Sequence, residues 1–365
     1  MKISSNILEE ILRKCSKMGI FWMIAIILSG CVEPIKLSAL ESEGKLVVEG
    51  WITNLPGPYR IRLSRTGLYS LGYEGVNAGV LGAKVFIVDD LGKEVELKET
   101  DEMAGYYLTD RSEIKGEVGR TYKVKIVIGD KVYESKPETL LKPVEIDTAY
   151  YEFMEESVFK EKGFYVYIDF KDPENEENYY SWTWEEHYKI TRCEVLEGGT
   201  GRFCCQSYCY VKERCHLCLD IMSDLYNNGN SVNHKSIVRV PFNRRDPAIA
   251  KIFQQSISKD AYIFLNYVKQ QTNNAGSVFG TPPFSIPGNI FNVNDPNESV
   301  YGYFGAKGES TRYIKVIRKF ADGPLSDETT PFKNPPEEPK ELIWPCAPCE
   351  ETEFTTLEIP SVDIK

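Results

Sequence analysis

The sequence predicts a mainly β fold, arranged as two β-rich units in tandem of which the first is a sandwich. Three observations carry that expectation. The chain is 12% aromatic, with 22 Tyr and 17 Phe, residue types that suit pleated, half-buried strands. Short stretches of alternating apolar and polar residues recur at intervals of roughly 8–12 residues, separated by turn residues. One segment alone repeats its apolar residues at a convincing helical spacing. A length of 365 residues fits two domains, and 42% hydrophobic with 27% charged residues excludes wholesale disorder. A net charge of −11 without any basic run excludes nucleic acid as a partner.

Residues 1–30 read as an export signal. Arg13, Lys14 and Lys17 form a basic region, and the apolar run Gly19 to Leu28 is too short to span a bilayer, which needs about 20 residues. Leu28-Ser29-Gly30-Cys31 resembles the lipobox of bacterial lipoproteins, so Cys31 is expected to carry a lipid at the head of a tether over residues 31–43. One acyl chain holds a membrane reversibly, whereas several make a stable anchor. No Asp follows Cys31, a pattern that favours the outer membrane over the inner by the enterobacterial rule. The expected location is the outer membrane, lipid-anchored, on the cell-surface or the periplasmic side. Loss of the basic leader leaves the rest more acidic still, so attachment rests on lipid and not on attraction to anionic headgroups.

The first sandwich is expected over residues 44–143. Leu46, Val48, Gly50 and Ile52 alternate with Lys45, Val47, Glu49 and Trp51. Asn54-Leu55-Pro56-Gly57-Pro58 then turns the chain into Tyr59-Arg60-Ile61-Arg62-Leu63, a hairpin with one buried face. After a glycine-rich loop at 67–82, strands follow at Ala83 to Val88, Val95 to Leu97, Gly105 to Leu108, Thr121 to Ile128 and Val132 to Ser135. Their order looks like that of immunoglobulin-like or transthyretin-like modules. Pro143 to Asp147 reads as a linker, and Asp147-Thr148-Ala149 fits either a short O-glycosylation motif or an ordinary interdomain turn.

The second β-rich unit is expected over residues 147–325. It opens with strands Phe164 to Phe170 and Tyr179 to Trp184, and then carries a Cys-rich, irregular insertion over 193–240. Ser258 is the predicted N-cap of a short amphipathic helix, with Asp260 in its first turn and Ala261, Tyr262, Leu265 and Val268 on one face. Asn273-Asn274-Ala275-Gly276 ends it. Tyr301-Gly302-Tyr303-Phe304 and Tyr313-Ile314-Lys315-Val316-Ile317 read as two closing strands, and residues 326–365 as a Pro- and Glu-rich tail with a Cys pair.

Several stretches together carry a family likeness. They are Leu46-Val47-Val48-Glu49-Gly50-Trp51-Ile52, Gly82-Ala83-Lys84-Val85, Asn178-Tyr179-Tyr180-Ser181-Trp182, and Gln255-Ser256-Ile257-Ser258 with Ala261-Tyr262. Gly276-Ser277-Val278-Phe279, Ile286-Pro287-Gly288-Asn289-Ile290 and Val300-Tyr301-Gly302-Tyr303-Phe304 continue the series. By these the chain resembles the domain-of-unknown-function 4249 family of Bacteroidota envelope lipoproteins. The family has no established activity to transfer. Its members look like companions of TonB-dependent outer-membrane transporters, so the resemblance implies an accessory that captures ligand for such a transporter or gates it. The expected partners are a membrane, through the lipid, an outer-membrane transporter, and a glycan or peptide ligand. A structural or adhesive surface lipoprotein is the alternative, and a hydrolase of glycans or envelope polymers a more distant one.

Ten cysteines are many for such a chain. Cys15 leaves with the signal and Cys31 takes lipid. Cys193, Cys204, Cys205, Cys209, Cys215, Cys218, Cys346 and Cys349 remain, an even set that favours disulfides in an exported protein. Eight cysteines allow 105 pairings. Zinc is the rival for Cys215, Cys218, Cys346 and Cys349, whose two-residue gaps suit tetrahedral thiolate ligation. Free redox thiols are a further reading.

With three His and no Gly-x-Ser-x-Gly, His-Glu-x-x-His or phosphate-loop pattern, the sequence offers no catalytic set and calls for no cofactor. His187 reads as a strand or loop residue beside Glu185 and Glu186. Asp169, Asp172, Glu174, Glu176 and Glu177 crowd one stretch, as a calcium site or, given the missing glycine-centred spacing, a solvated acidic turn. The binding-surface candidates are aromatic or loop-borne. They are Tyr180, Trp182 and Trp184 on one strand, Phe279 and Asn289 in the Gly- and Pro-rich stretch 274–292, and Tyr303 on a closing strand.

Overall fold

A computed structural model describes residues 44–67, 78–100, 103–190, 193–195, 202–204, 209–215, 218–274, 285–321 and 323–326, with 349, 352 and 354–358 in the tail. Cys31, Cys205, Phe279 and Cys346 lie outside them.

The fold is mainly β, as expected. In chain order the first strands are β1 (Leu46–Thr53), β2 (Arg60–Arg65), β3 (Lys84–Asp89), β4 (Glu94–Glu99), β5 (Tyr106–Leu108), β6 (Thr121–Ile128), β7 (Lys131–Ser135) and β8 (Glu138–Thr139). The alternation in β1 buries Leu46, Val48, Gly50 and Ile52 and turns Glu49 outward. Val85, Ile87, Val124 and Ile126 do the same for β3 and β6, facing Ile61 and Leu63 of β2 across one core. Burying such an aliphatic side chain contributes about 1.5–3 kcal/mol.

The second half holds β9 (Thr148–Met154), β10 (Gly163–Lys171), β11 (Tyr179–Ile190), β12 (Cys193–Val195), β13 (Arg202–Cys204), β14 (Cys209–Arg214), β15 (Asp220–Ser223), β16 (Ser231–Pro241) and β17 (Ala248–Ser256). After β17 come helix α1 (Lys259–Asn274), β18 (Ile290–Asn292), β19 (Tyr301–Val316) and β20 (Thr355–Thr356). A three-stranded sheet, β16-β10-β9, packs Phe164, Val166, Ile168, Val238 and Val240 against Tyr180, Trp182, Ala250 and Ile252 of the larger sheet. The stretch 231–240 is therefore a full strand of the second sandwich. Its Val238 and Val240 alternate inward, and it is not the end of an irregular insertion.

Two expectations change at β19. The two closing strands are one, running Tyr301–Val316. Its first half pairs parallel with β1, from Val47↔Tyr301 to Thr53↔Lys307. Its second half pairs antiparallel with β17, from Ser256↔Gly308 to Ala248↔Val316. A single sheet path runs β18-β7-β6-β3-β4-β5-β2-β1-β19-β17-β11-β14-β20, through both halves. The first sandwich is thus not complete within residues 44–143. Ile290, Val300, Phe304 and Ala306 from the far end of the chain fill its core, because β1 would otherwise be an unpaired edge. Two glycines let β19 pass. A Cβ on Gly305 would enter the Trp51 ring, and one on Gly308 would meet the Leu141 carbonyl where the linker crosses.

Helix α1 begins as predicted. The Ser258 hydroxyl accepts a hydrogen bond from the Ala261 N–H at 3.1 Å, and Asp260 sits in the first turn. Ile257, Ala261 and Tyr303 form a small third core, closed by Trp51, Tyr179, Tyr262, Phe264 and Leu265. The helix lies over the outer face of the shared sheet, opposite the sandwich cores. Among the described residues no helix is long and apolar enough to cross a membrane.

Candidate functional site

The alternation of β19 turns Phe304, Ala306 and Val316 into the cores. It turns Tyr303, Lys307 and Glu309 to the outer face, where the two sandwiches meet. Glu138 of β8 is buried there and accepts hydrogen bonds from the Tyr303 hydroxyl and, at 2.7 Å, from Ser258. Ser258 thereby caps α1 and ties it to the first sandwich at once. Burial pushes the Glu138 carboxyl up while the two hydroxyls oppose it, and burial beside Glu138 pushes the Tyr303 phenol up. Asn289 bonds both polar groups of its neighbour on β19, donating to the Phe304 carbonyl at 2.7 Å and accepting from the Phe304 N–H at 3.0 Å.

One turn of pleat further, a polar row crosses β19, β17 and β11. Lys307 Nζ donates to Gln255 Oε1 at 3.0 Å, and Ser181 donates to the same oxygen at 2.8 Å. Gln255 Nε2 donates to Glu309 Oε2 at 2.8 Å. The ammonium of Lys307 stands 3.8 Å from the centre of the Trp51 ring. Lys307 and Glu309 are each only 8% exposed. Burial lowers the lysine to about 8, against the pull of Glu309, and raises Glu309.

Beyond this row the outer face opens. Lys251 Nζ lies 4.5 Å from the Phe253 ring centre and 5.4 Å from that of Tyr313, and all three residues are half-buried. Glu185, the register partner of Lys251, holds Arg214 at 2.8 Å and has His187 at 3.5 Å. Burial opposes ionisation of Glu185, but His187, Arg214 and Lys251 bring it down to about 2. This strip of two aromatic rings around a cation, beside a fixed ion pair, suits stacking on a sugar or a peptide side chain. On the core side, Glu186 and Arg318 form a buried pair at 3.7 Å, with burial raising Glu186 to about 7 and lowering Arg318 to about 10. Arg318 also donates to the carbonyls of Asp246 and Pro241, at 2.6 and 3.1 Å.

Several predicted surface residues are interior. Tyr180 is 0% and Trp182 1% exposed, because the even-numbered face of β11 is the one that meets the β10 sheet. Trp182 donates to Gln254 at 3.0 Å and Tyr180 donates to Asp172. Trp184, on the same face, packs half-buried against that core. Tyr303 and Asn289 are brought together at the junction, but as buried structural groups.

The acidic stretch disperses. Asp172 is fully buried and also accepts from the Gly229 N–H at 2.9 Å, so it is no solvated turn residue. Asp169 accepts from the His234 N–H at 2.7 Å, and Glu177 pairs with Lys259 at 2.9 Å. Among the described residues no cluster of three or more His, Cys, Asp or Glu could hold a metal ion.

The cysteines correct the zinc reading. Cys209 and Cys349 form one disulfide and Cys215 and Cys218 another, which removes three thiolates of the proposed four-sulfur set. Cys193 and Cys204 are register partners in the β12–β13 ladder. Sequence reasoning missed Lys307, Glu309, Gln255 and Glu138. The available signal was charge at alternate positions in a stretch flanked by strand residues, Lys307 and Glu309 after Phe304.

Fold and site define a β-protein of two sandwiches welded through one strand, with a closed polar junction and a half-open aromatic strip beside it. The chain belongs to the family described as domain of unknown function (DUF4249), whose model matches residues 32–313 and so spans both sandwiches. No curated protein matches it at a significant level.

Proposed function

We propose that the protein is a non-catalytic outer-membrane lipoprotein that serves a TonB-dependent transporter, capturing ligand for it or gating it. The observation that carries this reading is the division of labour on the shared sheet. Glu138, Glu186, Lys307 and Glu309, whose titration burial displaces, are engaged in hydrogen bonds or ion pairs between elements. His187 lies 3.5 Å from Glu185, and His234 bonds the Tyr150 hydroxyl and stacks on the Tyr167 ring. Beside them the Phe253–Lys251–Tyr313 strip is half-open to solvent, which supports a binding role. The lipobox-like leader supports attachment at a membrane. Affinity capture of the native lipoprotein from intact, detergent-solubilised membranes is expected to bring down a transporter barrel in stoichiometric amount. Capture without one ends the proposal.

A structural or adhesive role is favoured by a different observation. Val158 and Phe159, at the tip of the β9–β10 hairpin, are 92% and 95% exposed. That reading predicts matrix or surface binding that is lost on Phe159→Ser, with no growth defect on any nutrient.

A further inference from the structure

Two described disulfides differ in every physical respect that matters to their role. Cys209–Cys349 closes a sequence separation of 140, and its residues are 1% and 4% exposed. It joins β14 to the tail segment beside β20, which pairs with β14. Cys215–Cys218 closes a separation of 3, and both residues are half-buried. Restriction of the unfolded chain grows with the logarithm of loop length, so this short ring stabilises least.

Nor does the backbone depend on it. β14 and β15 lie end to end along the same side of β11, with Arg214 opposite Glu185 and Asp220 opposite Trp182. Between those two register pairs β11 contributes only Thr183 and Trp184. β14 and β15 are each already paired with β11, and the Cys215 N–H donates to the Trp184 carbonyl at 3.2 Å. A bond that is reachable, closes a minimal ring and is redundant to register is poorly explained as a staple. Its two-residue spacing places a resolving sulfur beside any sulfur that is attacked.

We infer that Cys215–Cys218 is a thiol–disulfide exchange site for a dithiol donor, while Cys209–Cys349 is a permanent clamp. A thiolate of the donor attacks one sulfur of the pair. The Cys–Cys bond breaks, a mixed disulfide forms, and the other cysteine leaves as a thiolate that takes a proton. The donor's second thiolate then displaces the bound cysteine, which is protonated in turn. Two electrons pass: the donor is oxidised to a disulfide and the pair is reduced to two thiols. The inference does not rest on the transporter reading.

The test treats the native, full-length protein with dithiothreitol, stops the reaction with acid, alkylates, and maps each cysteine by peptide mass spectrometry. Cys215 and Cys218 are expected to be labelled on the order of a hundredfold faster than Cys209 and Cys349, with unchanged circular dichroism. Equal rates, or labelling only as the fold is lost, overturn the inference. In a second arm, Cys218→Ser is incubated with oxidised glutathione and should yield an adduct at Cys215 that the wild type lacks. Cys215→Ser/Cys218→Ser should melt within a few degrees of the wild type. A double variant that fails to fold makes the bond a staple and ends the proposal.

Discussion

Lys307→Met removes a cation that the junction buries against its preference. The folded protein holds this lysine at about 8, against 10.5 for an unstrained lysine. At about 1.36 kcal/mol per pKa unit, the difference is worth about 3 kcal/mol. Below pH 8 both folded and unfolded chains carry the proton, and the full cost of the buried cation is present. Between pH 8 and 10.5 the unfolded chain keeps a proton that the folded chain has lost, so stability rises with pH. Near pH 9 this one group contributes a slope of about 1.2 kcal/mol per pH unit.

Urea unfolding with disulfides intact, at pH 7, 8, 9 and 9.5, measures that slope. The wild type is expected to show it and Lys307→Met to lack it. At pH 7 the variant should be more stable by about 1–2 kcal/mol. The relief is partly offset by the hydrogen bond lost at Gln255, whose oxygen keeps Ser181, and by the lost attraction to Glu309. Equal slopes for the two proteins between pH 8 and 9.5 would refute the assignment of a buried, poorly compensated lysine.

Ser258→Ala deletes both the helix cap and one of the donors to buried Glu138. It should cost about 2–3 kcal/mol in urea unfolding and speed hydrogen exchange in the first turn of α1. A loss under about 0.5 kcal/mol would break the link drawn between helix and first sandwich. Trp182→Ala opens a cavity in the second core and orphans the Gln254 oxygen, with an expected loss of about 3–5 kcal/mol. Half-buried Trp184 should lose clearly less on the same change, and a Trp182 variant of wild-type stability would return that residue to the surface role its sequence suggested.

The parts of this fold that announce themselves are those with local causes. Leu46, Val48 and Ile52 alternate because one face of β1 is core. Ser258 and Asp260 mark a helix start because the first N–H groups need acceptors. The parts that stay hidden have distant causes. The partner of β1 lies at the other end of the chain, and nothing near Val47 names Tyr301. β19 reads as two pieces because Gly302, Gly305, Lys307, Gly308 and Glu309 interrupt its alternation. Only the Trp51 ring and the crossing linker explain why Gly305 and Gly308 are needed there. In β11 both faces carry aromatic rings, so alternation alone did not say that Tyr180 and Trp182 face inward while Tyr179 meets Tyr262 of the helix. The pairing of Cys209 with Cys349 waits on β14 and β20 becoming neighbours.

The long strand also sets how the molecule answers a pull. Tension entering at Gly44 runs along β1, and β1 lies beside β19 over seven successive register pairs, Val47↔Tyr301 to Thr53↔Lys307. Load in that direction shears the whole ladder together, whereas load across a ladder opens it one rung after another. Because the same strand continues into the ladder with β17, strain is handed from the first sandwich to the second through covalent backbone. Pulled from the β1 end, such a body resists as one unit.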